Sequence, residues 1–148
     1  MLFRSGEIDC TKINAAQPLD WLQCNIQDGL RSGNISALIG YMDDPIIVGY
    51  WRSEYQPRSL QEFYDELVGY RLPKDTSSLT FTSNPSRFPT LDGTPPEMMF
   101  GPDVRIARII YSEGWGLDGL GAALIFLAEN GEGGYSWYGI VLALDHFQ

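Results

Sequence analysis

The C-terminal stretch from Ile109 to Leu144, IIYSEGWGLDGLGAALIFLAENGEGGYSWYGIVLAL, limits the possible folds more than any other part of the chain. Its glycines allow two interpretations. Gly114, Gly116 and Gly119 spell the G-x-G-x-x-G pattern of a dinucleotide-binding loop after an apolar run. The same glycines also fit the bends of an antiparallel sheet. The first interpretation predicts a nucleotide-binding protein, and the second predicts a meander of strands.

Three physical objections count against the nucleotide loop. Trp115 would occupy the tight turn where a pyrophosphate must approach the backbone, and Asp118 would place a carboxylate beside that anion. The following apolar segment, 121–129, is too short for a helix that crosses back to a parallel strand. The sequence therefore predicts an antiparallel meander, with the NGEGG segment as its last hairpin turn. Its three strands are predicted at 104–112, 122–129 and 135–144.

The N-terminal half alternates helical and extended patterns. Ser59 and Glu62 form a capping box, which predicts a helix that Pro73 ends. Its apolar face is predicted to consist of Leu60, Phe63, Leu67 and Val68. From residue 84 to 103 the chain is a proline-rich loop, and we expect Phe88, Met98, Met99 and Phe100 to pack over the core because large apolar side chains favour burial. The other predicted elements are a helix at 17–33, a short helix at 34–42, a turn at 43–45, and strands at 46–51 and 79–83.

These elements predict an α+β fold, in which N-terminal helices pack on one face of a curved antiparallel sheet. Residues 17–145 are predicted to form a single domain, with 1–16 as an N-terminal arm and 146–148 as a C-terminal tail. The opening letters MLFRS resemble the translation of a common sequencing adapter. We therefore expect residues 1–5 to be an artefact of assembly, with a signal segment lost before them.

The order of elements resembles the NTF2-like (cystatin-like) cone. The segments ALIGYMDDPIIVGYWRSE, FPTLDG, MFGPDVRI and YSEGWGLDGLG resemble an uncharacterised bacterial domain family with a YSxGWGxDGxG-type motif. Members of that family often follow a signal peptide or lipoprotein anchor, so the resemblance implies an extracytoplasmic, periplasmic or secreted, location. The family pattern often has an acidic residue where this chain has Ala122, which weakens any role for a carboxylate at that position.

Charge and cysteine content restrict the partners. The 148 residues carry a formal net charge of −9, which argues against a nucleic-acid partner and against an anionic membrane surface. No apolar run is long enough to insert into a membrane. The sequence predicts no cofactor and no metal site. Cys10 and Cys24 are either two reduced thiols or a disulfide between the arm and the first helix.

Two groups of residues are candidates for chemistry or binding. Tyr50, Asp43, Tyr111 and Glu54 are the weak candidates for general acid/base catalysis inside a cone. An aromatic rim beside carboxylates suits a sugar ring or the apolar surface of a partner, because aromatic side chains bury a large area. The candidate ligand-binding residues are Trp51, Arg52, Tyr111, Trp115, Asp118, Trp137 and Tyr138.

These patterns support two functions from different classes. The first is a non-catalytic extracytoplasmic domain that binds a small molecule, a glycan or a protein, including a second copy of itself. The second is a small pocket enzyme of the isomerase, dehydratase or hydrolase kind. Packing explains the same aromatic residues better than binding does: Trp115 would then fold back into the cone, and the glycines would allow it to do so.

Overall fold

The computed structural model describes residues 8–91, 93–145 and Phe147. The predicted artefactual segment 1–5 lies outside the described residues, as do positions 146 and 148 of the predicted tail. The described α-helices are α1 (Pro18–Ser32) and α2 (Leu60–Glu66). Shorter helical turns include the 3₁₀-helix Ile35–Tyr41, which lies where a short helix was predicted at 34–42. The strands are β1 (Met42–Tyr50), β2 (Tyr55–Arg58), β3 (Thr80–Thr82), β4 (Ile106–Trp115), β5 (Gly121–Glu129) and β6 (Tyr135–Ala143).

The strands in the described residues form one sheet in the order β2-β1-β6-β5-β4-β3. The predicted α+β class is confirmed, but the prediction of a purely antiparallel sheet is wrong. β1 and β6 run parallel, while every other neighbouring pair is antiparallel. Strand direction is a property of the connections, so the apolar pattern of β1 alone does not reveal it.

The C-terminal segment forms the meander that the sequence predicts. Ile110 lies opposite Ile125, which in turn lies opposite Ile140, so β4, β5 and β6 pair in sequence order. Residues 121–129 are a strand, which excludes the helical crossover of a dinucleotide-binding unit. Gly114, with φ of 96°, lies where the register of β4 shifts. That conformation is easily reached only by glycine.

The helices cover one face of the sheet. α1 begins at Pro18 and ends before Gly33 in the left-handed conformation, as predicted. The capping box of Ser59 and Glu62 is also present at the start of α2. α2 is shorter than predicted because a π-helical turn, Leu67–Arg71, follows it. Val68, predicted on the apolar face of the helix, lies in this turn, and its side chain is 55% exposed.

The long loop covers the opposite face of the sheet. Phe88, Met99 and Phe100 pack against a buried cluster that includes Phe126 and Val141, as predicted for this loop. Met98 is the exception, since 48% of it is exposed. Phe147, placed by the sequence in the tail, is also buried in this cluster. Both faces of the sheet are therefore covered, and the middle of β5 is buried on both sides.

Two local predictions near β1 are wrong. Asp43 to Pro45 was predicted as a turn, yet these residues belong to β1. Pro45 is tolerated there because the β1–β6 register shifts between Met42 and Ile47. The sequence also gave no indication of β2, whose Pro57 argues against a strand in general but is compatible with the sheet edge that β2 occupies.

Cys10 and Cys24 form a disulfide that ties the N-terminal arm to α1, which decides between the two alternatives left by the sequence. Cys24 is buried and Cys10 is half-buried. None of the helices in the described part of the chain has the length and apolar character needed to cross a membrane.

Candidate functional site

Two of the predicted ligand-binding aromatics are core residues, so the binding interpretation is wrong for both and the packing interpretation is right for Trp115. Trp115 and Trp137 are 1% and 0% exposed. The Trp115 indole N–H donates to Ser112 Oγ at 2.7 Å, and the Trp137 indole N–H donates to the Gly139 carbonyl at 3.0 Å. Each ring has its polar group satisfied inside the protein, so burial is favourable and no surface is left for a ligand.

Of the remaining predicted binding residues, Trp51 and Tyr111 lie close together because both rings pack against Phe147, whereas Tyr138 and Asp118 have other neighbours. Trp51 is half-buried with its ring 5.5 Å from that of Phe147, and Arg52 lies over Trp51 in a tight turn with φ of 66°. Tyr138 packs against the ring of Phe100 on the loop-covered face. Asp118 accepts a hydrogen bond from the backbone N–H of Leu120 at 3.0 Å, which closes the turn after Trp115. These residues do not form one aromatic rim.

The four weak catalytic candidates also do not converge. Tyr50 donates to Glu66, whereas Tyr111 donates to Glu113 at 2.8 Å. Asp43 lines a groove with Tyr138, and Glu54 is exposed between β1 and β2. None of the five main cavities of the described residues is lined by more than one of these four groups.

A buried ionic cluster that the sequence analysis missed lies between β1 and α2. Glu66, which is 7% exposed, accepts hydrogen bonds from the Tyr50 hydroxyl and from Arg71 Nε, the latter at 2.7 Å. Burial raises the pKa of Tyr50, and the hydrogen bond to Glu66 raises it further. The signal was present in the sequence: Glu66 lies between Phe63 and Leu67, on the inward face of the helix.

Arg71 joins this cluster to the glycine turn that follows Trp115. Its guanidinium lies 4.8 Å from the ring centre of Tyr50 and 4.9 Å from that of Tyr70. Its backbone carbonyl accepts a hydrogen bond from the Gly116 N–H at 2.6 Å. The turn 116–120 is therefore fixed to the helical layer at one point, and its remaining side chains face solvent.

The surface around this turn carries an exposed apolar patch, which we call the glycine-loop end. Five of the seven exposed large hydrophobic side chains of the described residues belong to it. Val68 and Leu117 line a groove of about 300 Å³ together with Leu72 and Pro73. The glycine-loop end consists of Val68 (55% exposed), Tyr70 (55%), Leu117 (60%), Leu120 (65%) and Leu144 (76%).

A polar groove lies at the opposite end of β5, around the β5–β6 hairpin. It measures about 690 Å³ and is lined by Asp43, Asp103, Glu129, Tyr135 and Tyr138, among others. Burial, together with the negative charge of Asp43, raises the pKa of Tyr138, so this phenol stays protonated at neutral pH. Within the described residues, no three His, Cys, Asp or Glu side chains come together in a way that would hold a metal ion.

A second polar region lies at the β3 edge of the sheet. Here a cavity of about 480 Å³ is lined by Arg31, Phe81, Tyr111 and Glu113, among others. Burial, and then the hydrogen bond and charge of Glu113, raise the pKa of the Tyr111 phenol well above its ordinary value. Tyr111 is thus a hydrogen-bond donor rather than a base. It is also the one predicted binding residue that lines this cavity.

No protein-family model and no curated protein matches the chain. Among solved structures, a conserved protein from Planctomyces limnophilus DSM 3776 is similar over 87% of this chain and 94% of its own. The two share 10% sequence identity, and the TM-score is 0.43. A similarity at this level assigns neither a fold family nor a function.

Proposed function

We propose that this chain is a non-catalytic domain that binds another protein through the glycine-loop end. Five exposed apolar side chains around one turn carry the proposal: Val68 and Leu117 line one groove, Tyr70 and Leu144 line a second beside Gly116, and Leu120 lies in the turn itself. Single exposed apolar residues are ordinary, but a contiguous apolar patch on a soluble protein marks an interaction site. Leucine and tyrosine side chains there would lose water on docking, which is the main source of binding free energy.

The anchoring of the patch supports a binding role. Leu117 and Leu120 lie in a turn whose Gly116 N–H is bonded to Arg71 and whose Asp118 carboxylate holds the Leu120 N–H. A turn fixed in this way loses little conformational entropy when a partner docks. An acidic protein with a net charge of −9 would prefer a partner with a neutral or basic rim around its own apolar centre.

We also propose that the fold is an NTF2-like (cystatin-like) cone whose interior is filled. The order of two N-terminal helical segments, a hairpin, a helix and a C-terminal meander supports this assignment. The YSxGWGxDGxG-type motif supports membership of the uncharacterised bacterial family, since its residues build one structure. Ser112 accepts the hydrogen bond of Trp115, the first three glycines of the motif (Gly114, Gly116 and Gly119) adopt positive φ, and Asp118 closes the turn.

An extracytoplasmic location belongs to the same proposal. The disulfide between Cys10 and Cys24 supports it, because such bonds persist in oxidising compartments and are rare in the cytosol. Alkylation of free thiols in intact host cells, followed by a mass measurement, tests this point. Recovery of the protein with both cysteines alkylated would argue for the cytosol. The alternative, a general acid/base enzyme, lacks support from the four candidates because they lie apart.

Site-directed photo-crosslinking tests the interaction. A photoreactive phenylalanine at position 117 or 120 should give a discrete crosslinked product, either with a second copy or with another protein. The same group at position 98 should give none, because Met98 is a similarly exposed apolar residue on the opposite face of the sheet. Crosslinking from position 120 should also disappear in the Leu117→Ser variant but persist in Met98→Ser. Equal products from positions 98 and 117 would contradict the proposal.

A further inference from the structure

A continuous polar groove bends around the β3 edge of the sheet, and nothing proposed above uses it. It consists of two cavities of about 480 and 340 Å³ that share Arg31, Phe81 and Thr82. Each lies within the range of about 300–1,000 Å³ that is typical of ligand sites. None of the lining residues of the two cavities belongs to the glycine-loop end. We call this feature the β3-edge groove.

The first cavity offers both hydrogen-bond donors and acceptors. The Glu113 carboxylate accepts one bond from Tyr111, and its side chain is exposed, so it retains capacity for further donors. Thr80 and Thr82 contribute hydroxyl groups, which both donate and accept. The half-buried ring of Phe81 provides an apolar surface beside these polar groups.

The second cavity is lined by two buried amides. Gln23 and Gln27 are 2% and 7% exposed, and Gln23 Nε2 donates to Gln27 Oε1 at 2.8 Å. The described partner of Gln27 Nε2 is the Cys10 sulfur at 4.0 Å, which is a weak acceptor. A buried amide with so weak a partner gains free energy from a ligand oxygen placed within reach.

Arg31 joins the two cavities. Its Nε donates to the Leu79 carbonyl at 3.1 Å, and its guanidinium lies 4.9 Å from the ring centre of Phe81. In the part of the chain that the structure describes, Arg31 forms no salt bridge with a carboxylate. The side chain is therefore held in place while its terminal N–H groups can donate to a bound molecule.

We infer that the β3-edge groove binds a neutral oligosaccharide. Its lining carries charges of both signs: Arg31 and Arg87 are positive, and Asp9, Asp28 and Glu113 are negative. A ligand with a strong net charge of either sign would therefore be repelled by some of these groups. An apolar ligand would leave the buried amides without partners. A chain of sugar rings carries alternating hydroxyl donors and acceptors together with apolar ring faces, which match hydroxyl, carboxylate, guanidinium and phenyl groups in one groove.

A glycan microarray tests the inference with the intact chain. The array should carry neutral glucose-, galactose-, mannose- and N-acetylglucosamine-based oligosaccharides, together with uronic-acid-bearing and sulfated glycans. We expect binding of neutral structures, confirmed in solution by saturation-transfer NMR. Absence of binding to every neutral oligosaccharide overturns the inference, as does binding of the acidic glycans alone. Binding of an extended peptide in place of the sugars also overturns it.

Variants decide whether the groove is the site. Arg31→Met keeps the aliphatic contact with Phe81 but removes the donors, and we expect it to weaken binding at least about tenfold, as for a hydrogen bond to a charged group. Tyr111→Phe removes one hydroxyl and should weaken it a few-fold; it also serves as the test if Arg31→Met does not fold by circular dichroism. The control is Arg105→Met, whose side chain is 84% exposed at the other groove. Unchanged affinity in both Arg31→Met and Tyr111→Phe overturns the inference.

Discussion

The two connections of the C-terminal meander have similar glycine content but opposite character. The turn 116–120, between β4 and β5, presents Leu117 and Leu120 to solvent with Trp115 buried behind it. The turn 130–134, between β5 and β6, is polar and borders an acidic groove. The first is bonded to the helical layer through Gly116 and Arg71, whereas the second is closed by its own Asn130.

The contrast shows what glycine contributes at each end. In the first turn, positive φ at glycine lets the chain bury a tryptophan and then return to the surface within a few residues. The exposed leucines of this turn are held in a fixed position because the Gly116 N–H donates a hydrogen bond to the Arg71 carbonyl. In the second turn, the glycines serve only to reverse the chain. A fixed apolar surface suits recognition, while a self-contained polar turn needs no partner.

The largest expected effect is at Trp115. Trp115→Ala should lower the free energy of unfolding by about 4 kcal/mol, because it removes a buried aromatic side chain and leaves a cavity. Urea denaturation monitored by far-UV circular dichroism measures this loss. Trp21→Ala is the control: Trp21 is 38% exposed, so its loss should cost far less. Equal losses for the two variants would contradict the assignment of Trp115 to the core.

The second prediction concerns the buried ion pair of Glu66 and Arg71, which holds the glycine-loop end through the backbone of Arg71. Glu66→Gln should cost about 3 kcal/mol, because it leaves Arg71 without its charged partner in a mostly buried place. Glu129→Gln, in the exposed pair with Arg105 at the other end of β5, should cost less than about 0.5 kcal/mol. Denaturation curves of both variants make the comparison.

Hydrogen exchange sharpens this test. Because Gly116 is bonded to the backbone of Arg71, loss of the anchor should speed amide exchange at Gly116 in Glu66→Gln. Exchange in the turn 130–134 should stay unchanged. Faster exchange at both ends would indicate global destabilisation rather than a local anchor.

The elements with strong periodicity or capping were predictable from the sequence, and those decided by tertiary pairing were not. The capping box at Ser59 and the left-handed Gly33 each reflect local chemistry, so α2 begins and α1 ends where predicted. The parallel pairing of β1 with β6 and the edge strand β2 depend on neighbours that are distant in sequence. Local patterns carry no information about such neighbours.

The candidate site was predictable only in part, for the same reason. The sequence identified the glycine turn as important but left two positions open for Trp115, an exposed rim or the packed interior, since composition alone cannot say which side of a turn faces the core. Val68 was predicted on the apolar face of α2, but it lies in the π-helical turn that follows this helix, and its side chain is exposed. The glycine-loop end was not predictable, because its residues Val68, Leu117 and Leu144 are distant in sequence and only the fold places them at one turn.

The third prediction compares glycines at the two turns. A Cβ at Gly121 would lie 2.9 Å from the backbone oxygens of Ala143 and Trp115, which cannot move easily. Gly121→Ala should therefore cost about 2 kcal/mol, in the range of overpacked sites. A Cβ at Gly131 would meet nothing within 4 Å, so Gly131→Ala should be neutral or slightly stabilising. Thermal unfolding of the two variants checks the difference in sign.

The smallest expected losses of stability come from removing the side chains that close the two turns, Asn130 and Asp118. Asn130 Oδ1 accepts from the backbone N–H groups of Glu132 and Gly134 at 3.0 and 3.1 Å, and Asp118 Oδ1 accepts from the Leu120 N–H at 3.0 Å. Asn130→Ala should cost about 1 kcal/mol, because each lost hydrogen bond in a turn contributes a modest amount.

Asp118→Ala should lower the free energy of unfolding less than Asn130→Ala, although both side chains accept hydrogen bonds from backbone N–H groups of their own turns. The turn at Asp118 is also held by the bond between Gly116 and Arg71, so loss of its side-chain bond leaves a second constraint in place. Denaturation curves with a precision of about 0.3 kcal/mol would resolve the difference. If Asp118→Ala proved the more damaging change, the anchor beneath the glycine-loop end would be weaker than its geometry implies. Leu117 and Leu120 would then be presented by a mobile turn, and the case for a fixed docking surface would fail with it.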